Sequence, residues 1–240
     1  MLEITTHKFA FFTRKEFWFY KGEKIARGTY NTFCFTEEGN PEKKNSVLKQ
    51  QTSLIDLERS EEDLFSAINR TFKFQVKKAE KKGIKSVTDF NPDSEKCEEI
   101  AYELSSFARK RSFAWSKQRI LALQKINRLI ITHAVLHNEI LATHIYLHDT
   151  HCVSLLHSYT NQKIADKKLK GYANKLLHWN DMIACRKYGL KVYDFGGINP
   201  EKHPGITAFK LSFGGTRVDR YSYVETSPLV FFLIKLMRKK

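Results

Sequence analysis

The chain has 240 residues, of which 42% are hydrophobic, and it contains 18 phenylalanines, 10 tyrosines and 3 tryptophans. This apolar content is enough for a packed core and excludes an intrinsically disordered protein. Its 41 Lys and Arg outnumber 26 Asp and Glu. The net charge of +15 favours phosphate-bearing partners: nucleic acid, nucleotide cofactors, sugar nucleotides or an anionic membrane. A basic solvated surface that only aids solubility is the alternative.

The cysteines and the N-terminus indicate a cellular compartment. The four cysteines are scattered without a Cys-x-x-Cys pair, which is typical of reduced thiols. Charged residues interrupt the N-terminal apolar stretch, so it does not resemble a signal peptide. No segment approaches the ~20 apolar residues that a transmembrane helix needs. We therefore expect a cytoplasmic protein.

The first ninety residues predict strands followed by a helix. Aromatic-rich strands are expected within residues 8–35, with residues 21–22 as a hairpin turn, and a short strand at 54–57. Ser60 is a helix-cap residue, and apolar positions at helical spacing continue the helix to Gly83. The lysine-rich end of that helix either stabilises its C-terminus or binds phosphate.

The remaining chain predicts alternating helices and strands. The predicted elements are a strand at 84–90, helices at 95–110 and 116–126, an antiparallel meander of strands at 128–137, 139–148 and 151–159, a basic loop at 161–171, a helix at 172–188 and a strand at 191–195.

Residues 190–224 form the most unusual stretch of the sequence. Two double glycines, at 196–197 and 214–215, mark tight turns or close approaches of the backbone. Asp194 and Lys210 are charged residues among apolar ones. They either pair with each other or serve chemistry.

Several motifs resemble known transferases. Residues 168–173 (KLKGYA) resemble the pyrophosphate loop of GNAT acyltransferases, R/Q-x-x-G-x-G/A, with Lys168 in the place of Arg or Gln. Residues 174–179, 189–198 and 205–215 resemble the C-terminal signature of Fem-type transferases and their FemAB-like relatives. Residues 77–83 are similar to the basic helix end that precedes the transferase half in that group.

The resemblance implies a fold and its division. We expect a mixed α/β, GNAT-like fold with a central, mostly antiparallel twisted sheet flanked by helices. A smaller N-terminal lobe would occupy residues 1–90, as a reduced GNAT-like half, and the transferase domain residues 91–240.

The resemblance also implies transfer of an acyl group to an amine. The donor would be acyl-CoA, with acetyl-CoA the first choice, and the acceptor an amine of a sugar or another cell-envelope precursor. Aminoacyl-tRNA is the alternative donor. The chain length and the lack of a helical-hairpin arm favour acyl-CoA, whereas the net charge favours tRNA. A non-enzymatic basic binding module on the same scaffold is a third hypothesis.

The resemblance places the site between two splayed strands, 151–159 and 191–195, where a backbone N–H would hold the donor carbonyl. Lys210 could stabilise negative charge on that carbonyl or a donor phosphate, and Asp194 could orient the amine or pair with Lys210. His157 and Tyr159 share a strand face and could relay a proton, or they are core residues. The residues expected to bind the donor are Lys168, Lys170, Gly171, Tyr172, Ala173 and Asn174.

The histidine spacing argues against a metal. The histidines at 133 and 137, and those at 144 and 148, are four apart, as in helical zinc sites. On strands, residues four apart are separated by ~13 Å. Neither pair could then share an ion, and we expect no metal.

The stretch 228–240 is apolar and then basic. It predicts a last helix packed on the domain. The alternative is a peripheral contact with an anionic membrane, which would suit a lipid-linked acceptor.

Overall fold

A computed structural model of the protein describes residues 1–9, 12–37, 45–111 and 115–237. The strands and helices are β1 (Leu2–Phe9), β2 (Phe12–Trp18), β3 (Tyr30–Thr36), β4 (Asn45–Asp56), α1 (Glu61–Ala67), α2 (Arg70–Lys81), β5 (Lys85–Asp89), α3 (Ser94–Arg111), α4 (Lys117–Lys125), β6 (Leu129–Leu136), β7 (Glu139–His148), β8 (Cys152–Thr160), α5 (Lys167–Lys187), β9 (Val192–Ile198), α6 (Pro204–Leu211), β10 (Thr216–Thr226) and α7 (Pro228–Met237).

The chain forms two compact units, and each is assembled from separate stretches. The first unit comprises Met1–Gln50, Asp93–Ile126 and Asp219–Lys240, and the second comprises Gln51–Pro92 and Asn127–Val218. The division into a lobe at residues 1–90 and a transferase domain at 91–240 stays a prediction.

The first unit contains the strand order β1-β2-β3-β10. Strand β1 pairs with β2 in antiparallel fashion, but β2 and β3 are parallel, with Arg14 opposite Tyr30. The predicted hairpin turn at residues 21–22 is therefore wrong, because the connection must return the chain to the start of β2 before β3 begins. The rings of Phe17, Phe33 and Tyr223 stack to form a small core.

A buried ion pair ties α4 to β2 within the first unit. The Glu16 side chain is only 2% exposed and accepts hydrogen bonds from Nε and Nη2 of Arg119, at 2.7 and 3.1 Å. The guanidinium also lies 5.7 Å from the centre of the Trp18 ring. A pair buried in this way depends on both partners, because either one alone would be an uncompensated charge.

The second unit contains the strand order β4-β9-β8-β7-β6-β5. Strands β6, β7 and β8 form the predicted antiparallel meander, β5 pairs with β6 and β4 pairs with β9 in antiparallel fashion, and only β8 and β9 are parallel. The sheet pairings are thus mostly antiparallel and the sheet is flanked by helices, which confirms the predicted mixed α/β fold class.

The helices before β5 differ from the prediction. Ser60 caps α1 as predicted and accepts a hydrogen bond from the Asp63 amide at 3.0 Å. The helix then ends at Ile68, whose backbone is extended, and Asn69 caps a second helix through a 2.9 Å bond from the Phe72 amide. Asparagine is a preferred helix-cap residue, which explains why a new helix begins here. The apolar periodicity of the sequence runs through both helices and therefore did not reveal the break between them.

The core of the second unit lies between the sheet and helices α1, α2 and α5. Its fully buried side chains include Leu64, Val76, Leu176, Tyr146 and Phe195. Burial of such side chains supplies about 1.5–3 kcal/mol each relative to exposure.

The second double glycine, Gly214 and Gly215, follows α6 where the backbone lies very close to Ala67 and to residues of β4. Gly214 has a φ of +82°, and a Cβ there would lie 2.6 Å from the Cβ of Ala67. A Cβ on Gly215 would lie 3.0 Å from the Leu54 carbonyl and would also strike Ser53. Glycine is required at both positions because neither leaves room for a side chain.

Helix α7 begins at Pro228, which is consistent with the predicted last helix. Within the described ranges, none of the helices has both the length and the apolar character that crossing a membrane demands.

Candidate functional site

Strands β8 and β9 separate in the middle of the sheet. They pair over three residue pairs, from Cys152 opposite Val192 to Ser154 opposite Asp194. Beyond this point β8 continues beside β7, whereas β9 continues beside β4. The predicted splayed pair is thus present. We call the gap between residues 155–160 and 195–198 the slot.

The base of the slot has an irregular backbone. Gly196 has a φ of +69°, and a Cβ there would lie 2.9 Å from the Leu155 carbonyl oxygen. The register of β8 against β7 shifts at the same level, because Tyr146 lies opposite Leu155 but Ile145 lies opposite His157. Such a bulge leaves one residue outside the regular ladder. Backbone groups at the base of the slot are therefore candidates for holding a carbonyl.

Asp194 maintains this backbone shape. Its side chain is 3% exposed, and Oδ1 accepts a 2.7 Å hydrogen bond from the Gly196 amide. The hydroxyl of Thr52 contacts the same carboxylate oxygen and lies 2.9 Å from the Gly196 carbonyl. These contacts favour a structural role for Asp194, while its proposed orientation of an amine stays a prediction.

Lys210 lies on α6, next to the end of β9. Its Nζ donates a 2.8 Å hydrogen bond to the Gly197 carbonyl. Burial lowers the pKa of Lys210 to about 8, and the negative charge of Asp194 acts in the opposite direction. An ammonium has three N–H donors, so a group that gives one to Gly197 can still bind an anionic atom. Lys210 and Asp194 are therefore neighbours whose charges interact, as the sequence suggested.

His157 and Tyr159 lie on β8 beyond the bulge, and both are half-buried. Ser158, between them, lies 3.4 Å from the Asn174 amide oxygen of α5. Since neighbouring strand residues face opposite sides, His157 and Tyr159 face away from α5. Their role in proton transfer stays a prediction.

The predicted basic loop at 161–171 is wrong in its second half. Helix α5 begins at Lys167, and Asp166 caps it by accepting a 2.9 Å hydrogen bond from the Leu169 amide. Gly171 suggested a loop, but one glycine inside a helix costs only about 1 kcal/mol. The motif that resembles a pyrophosphate loop therefore forms the first turns of a helix.

The residues predicted to bind the donor are spread around those turns. Lys168 is exposed, Lys170, Gly171, Tyr172 and Asn174 are half-buried, and Ala173 is buried. The Gly171 carbonyl accepts a 3.2 Å bond from Lys175 Nζ, and Lys78 Nζ lies 5.4 Å from the centre of the Tyr172 ring. Binding of a donor by these residues stays a prediction.

A buried hydrogen-bond network that the sequence did not reveal lies where α5 covers β7 and β9. It consists of His144, Tyr146, His178, Asp181 and Tyr193, each at most 1% exposed. We call it the His–Tyr–Asp network. Asp181 Oδ2 lies 2.7 Å from His144 Nδ1 and accepts a 2.5 Å bond from the Tyr146 hydroxyl. The Tyr193 hydroxyl lies 2.8 Å from that of Tyr146 and 2.9 Å from His178 Nδ1.

Burial determines the protonation states of Tyr146, Tyr193 and His178 at neutral pH. Burial raises the pKa of Tyr146 and that of Tyr193 well above the ordinary value, and the Asp181 charge adds to both effects. Burial lowers the pKa of His178 well below its ordinary value, with His144, Lys210 and Lys175 acting in the same direction. At neutral pH the His178 ring is therefore uncharged and both tyrosines keep their protons.

The network also contains the residue types of a metal site. The ligand atoms of His144, His178 and Asp181 lie within 4.8 Å of one another. Both ring nitrogens of His144 and Nδ1 of His178 are, however, engaged in hydrogen bonds of 2.7–2.9 Å. The geometry is thus that of a hydrogen-bond network. The absence of a bound metal stays a prediction.

The sequence analysis considered only histidines four residues apart on strands and did not anticipate the partners of His144. His144 meets side chains from α5, and His148 instead contacts the Asp149 carbonyl at 2.8 Å. A better signal was available in α5. His178 and Asp181 are three residues apart on its apolar face, a spacing that places two polar side chains side by side.

An open groove lies on the helical side of the second unit. Its volume is about 760 Å³, and it is lined by Glu61, Glu62, Phe65, Ser66, Lys73, Glu80 and Trp179. Three glutamates against one lysine give this groove an acidic character, in contrast to the basic net charge of the chain.

No protein-family model and no curated protein matches the chain. Solved structures do match its fold. FemX aligns with a TM-score of 0.59 at 13% identity, over 86% of this chain and 74% of FemX. L-PGS from Bacillus licheniformis aligns with a TM-score of 0.54 at 13% identity, over 87% of this chain and 72% of that chain.

A third match is the C-terminal domain (DUF2156) of a putative lysylphosphatidylglycerol synthetase from Agrobacterium fabrum. Its TM-score is 0.55 at 11% identity, and the alignment covers 87% of this chain and 71% of that domain. At such identities the likeness concerns the fold. The predicted resemblance to GNAT-fold, FemAB-like proteins is therefore confirmed as a resemblance of fold.

Proposed function

We propose that the chain is an acyltransferase that moves an acyl group from acyl-CoA to an amine of a sugar or another cell-envelope precursor. The observation that carries the proposal is the slot between β8 and β9 with the partly buried Lys210 at its rim. The likeness of fold to FemX supports it.

The slot suits acyl transfer for two physical reasons. A donor carbonyl that enters between the separated strands meets fixed backbone groups at the β8 bulge between Leu155 and His157. Such groups need little reorganisation during the reaction. The Lys210 ammonium adds a positive charge near the oxygen on which negative charge develops. Positioning of donor and amine in one slot supplies the remainder of the proposed rate enhancement.

Acyl-CoA is the preferred donor, and aminoacyl-tRNA is the second candidate. Along the part of the chain that the structure describes, no two long consecutive helices form a helical-hairpin arm. The lack of such an arm is the reason for preferring acyl-CoA over aminoacyl-tRNA. The net charge of +15 is the observation that favours tRNA.

Binding and turnover distinguish these donors. Isothermal titration with acetyl-CoA and, separately, with aminoacyl-tRNA measures which donor binds. Release of the CoA thiol in the presence of glucosamine then measures transfer. Lys210→Ala should abolish most of the turnover, whereas the exposed Lys202→Ala should leave it unchanged. Binding of neither donor would instead support a non-enzymatic basic module.

A peripheral membrane contact is a separate part of the proposal. Leu229 and Phe232 of α7 are 68% and 58% exposed, and the sequence continues into Arg and Lys. Sedimentation with phosphatidylglycerol vesicles, with phosphatidylcholine vesicles as control, tests it. Equal sedimentation with both lipids would refute a charge-dependent contact.

A further inference from the structure

The His–Tyr–Asp network connects the surroundings of Lys210 with a buried carboxylate. We propose that His178 is the general base for the acceptor amine and that Tyr193 and Tyr146 carry the proton on to Asp181. This inference rests on the acyl transfer proposed above. It assigns to that reaction four residues that were not among the predicted site residues.

The hydrogen bonds form one continuous chain. From His178 Nδ1 to the Tyr193 oxygen is 2.9 Å, from there to the Tyr146 oxygen is 2.8 Å, and from there to Asp181 Oδ2 is 2.5 Å. Tyr146 donates to the carboxylate, so its oxygen accepts from Tyr193, whose oxygen in turn accepts from His178 Nδ1–H. All donors then point the same way, and the lone pair of His178 is on Nε2.

The His178 ring lies near residues that flank the slot. Its ring centre lies 5.0 Å from that of Phe195 on β9 and 5.5 Å from that of Phe209, the neighbour of Lys210 on α6. The hydrogen bond of His178 to Tyr193 uses Nδ1, which leaves the lone pair of Nε2 for another partner. For general base catalysis, an amine in the slot must reach this nitrogen directly or through one water.

The charges around His178 explain why a relay is needed. The titratable groups that act on the ring come from α5, β7, β9 and α6, and they are Lys175, Asp181, His144, Tyr146, Tyr193 and Lys210. The two lysines oppose an imidazolium, so His178 accepts a proton well only if its Nδ1 proton leaves at the same time. Asp181 offers a destination, because its Oδ2 already accepts the Tyr146 hydrogen bond along which the proton would arrive.

The proton balance closes with these groups. The amine nitrogen forms a bond to the acyl carbon, and its proton moves to His178 Nε2. The Nδ1 proton passes to Tyr193, the Tyr193 proton to Tyr146 and the Tyr146 proton to Asp181, which becomes a neutral acid. The electron pair of the broken carbon–sulfur bond stays on the CoA sulfur, which takes a proton from water. After the product leaves, the proton returns from Asp181 along the same chain and His178 Nε2 releases it to water, which restores the starting state.

Removal of one oxygen atom tests the relay. Tyr146→Phe interrupts the chain and leaves the ring in place, whereas Tyr223→Phe is a matched change at a buried tyrosine of the first unit. With acetyl-CoA and glucosamine, Y146F should lower kcat about 10- to 100-fold, with KM within about twofold and with a smaller solvent isotope effect in D₂O, because general base catalysis contributes about 10²–10⁴-fold. An unchanged kcat and isotope effect in a folded Y146F protein would overturn the inference and leave the proposed function intact.

Histidine spectra test the same chain without turnover. Long-range ¹H–¹⁵N correlation spectra of the wild-type protein should show His178 protonated on Nδ1, with no titration near the ordinary value of about 6.5. Tyr193→Phe should shift both nitrogen resonances. A proton on Nε2, or titration near 6.5, overturns the relay. If the wild-type protein transfers no acyl group but the spectra are as expected, the proposed function fails while the hydrogen-bond chain stands.

Discussion

The titration of Lys210 offers a direct test of the candidate site. Burial lowers the pKa of this lysine to about 8, against 10.5 for an ordinary lysine. If its ammonium stabilises the developing charge, activity requires the protonated form. The rate should therefore fall as the pH rises through about 8, and not two units higher as for an ordinary lysine.

The magnitude follows from the pKa. At pH 7 about nine-tenths of the Lys210 side chains are protonated, and at pH 9 about one-tenth, so the rate that depends on the ammonium should fall about tenfold between these values. Lys210→Arg keeps its charge because arginine has a pKa above ~12. Loss of the charge in Lys210→Ala should cost about 10²–10³-fold at neutral pH, the usual effect of removing a group that stabilises an oxyanion.

The assay is thiol release from acetyl-CoA at saturating glucosamine, from pH 6 to 10. Titration of the acceptor amine affects the wild-type and Lys210→Arg proteins equally. The ratio of their rates therefore isolates Lys210. A ratio that stays constant between pH 7 and 9, or that falls only near pH 10, would refute the reasoning.

Three further predictions concern stability and reactivity. Gly214→Ala should lower the free energy of unfolding by about 2–5 kcal/mol in urea titrations, since it adds a collision to the strain of a positive φ; Gly189→Ala, where φ is +97° but space is open, should cost only about 1–2 kcal/mol. Glu16→Gln should cost about 3–5 kcal/mol by the same measurement, because it leaves the Arg119 charge uncompensated, and a loss below 1 kcal/mol would contradict that account. In the native protein, Cys152 should react first with a thiol reagent at pH 8, because the other three cysteines are buried. In urea all four cysteines should react at similar rates. Similar rates for all four in the native protein would contradict the prediction.

Elements with a strong local pattern were predictable from the sequence. The meander β6–β8 follows from apolar runs separated by short turns, and the Asn138 turn has the positive φ that asparagine tolerates. The Ser60 cap and the end of α2 at Gly83 follow from capping chemistry. Each of these features depends on residues that are close in sequence.

Two errors have different causes: one concerns a strand partner that local patterns do not specify, and the other a competition between two local signals. The direction of β3 relative to β2 depends on the path of the connection, which no turn residue reveals. The start of α5 depends on Asp166, whose cap outweighed the glycine that suggested a loop. Propensity is a weak guide where a cap or tertiary packing acts against it.

The sequence by itself determined the mixed α/β class and the meander, and it drew attention to the stretch that holds Asp194 and Lys210. Only the tertiary structure decided what surrounds them: the separation of β8 from β9 and the burial that lowers the pKa of Lys210. It also brought together His144, Asp181 and Tyr193, which lie on two strands and one helix. The physical reason is that burial and hydrogen bonding depend on distances in space, which packing sets, whereas local periodicity reports only on neighbours along the chain.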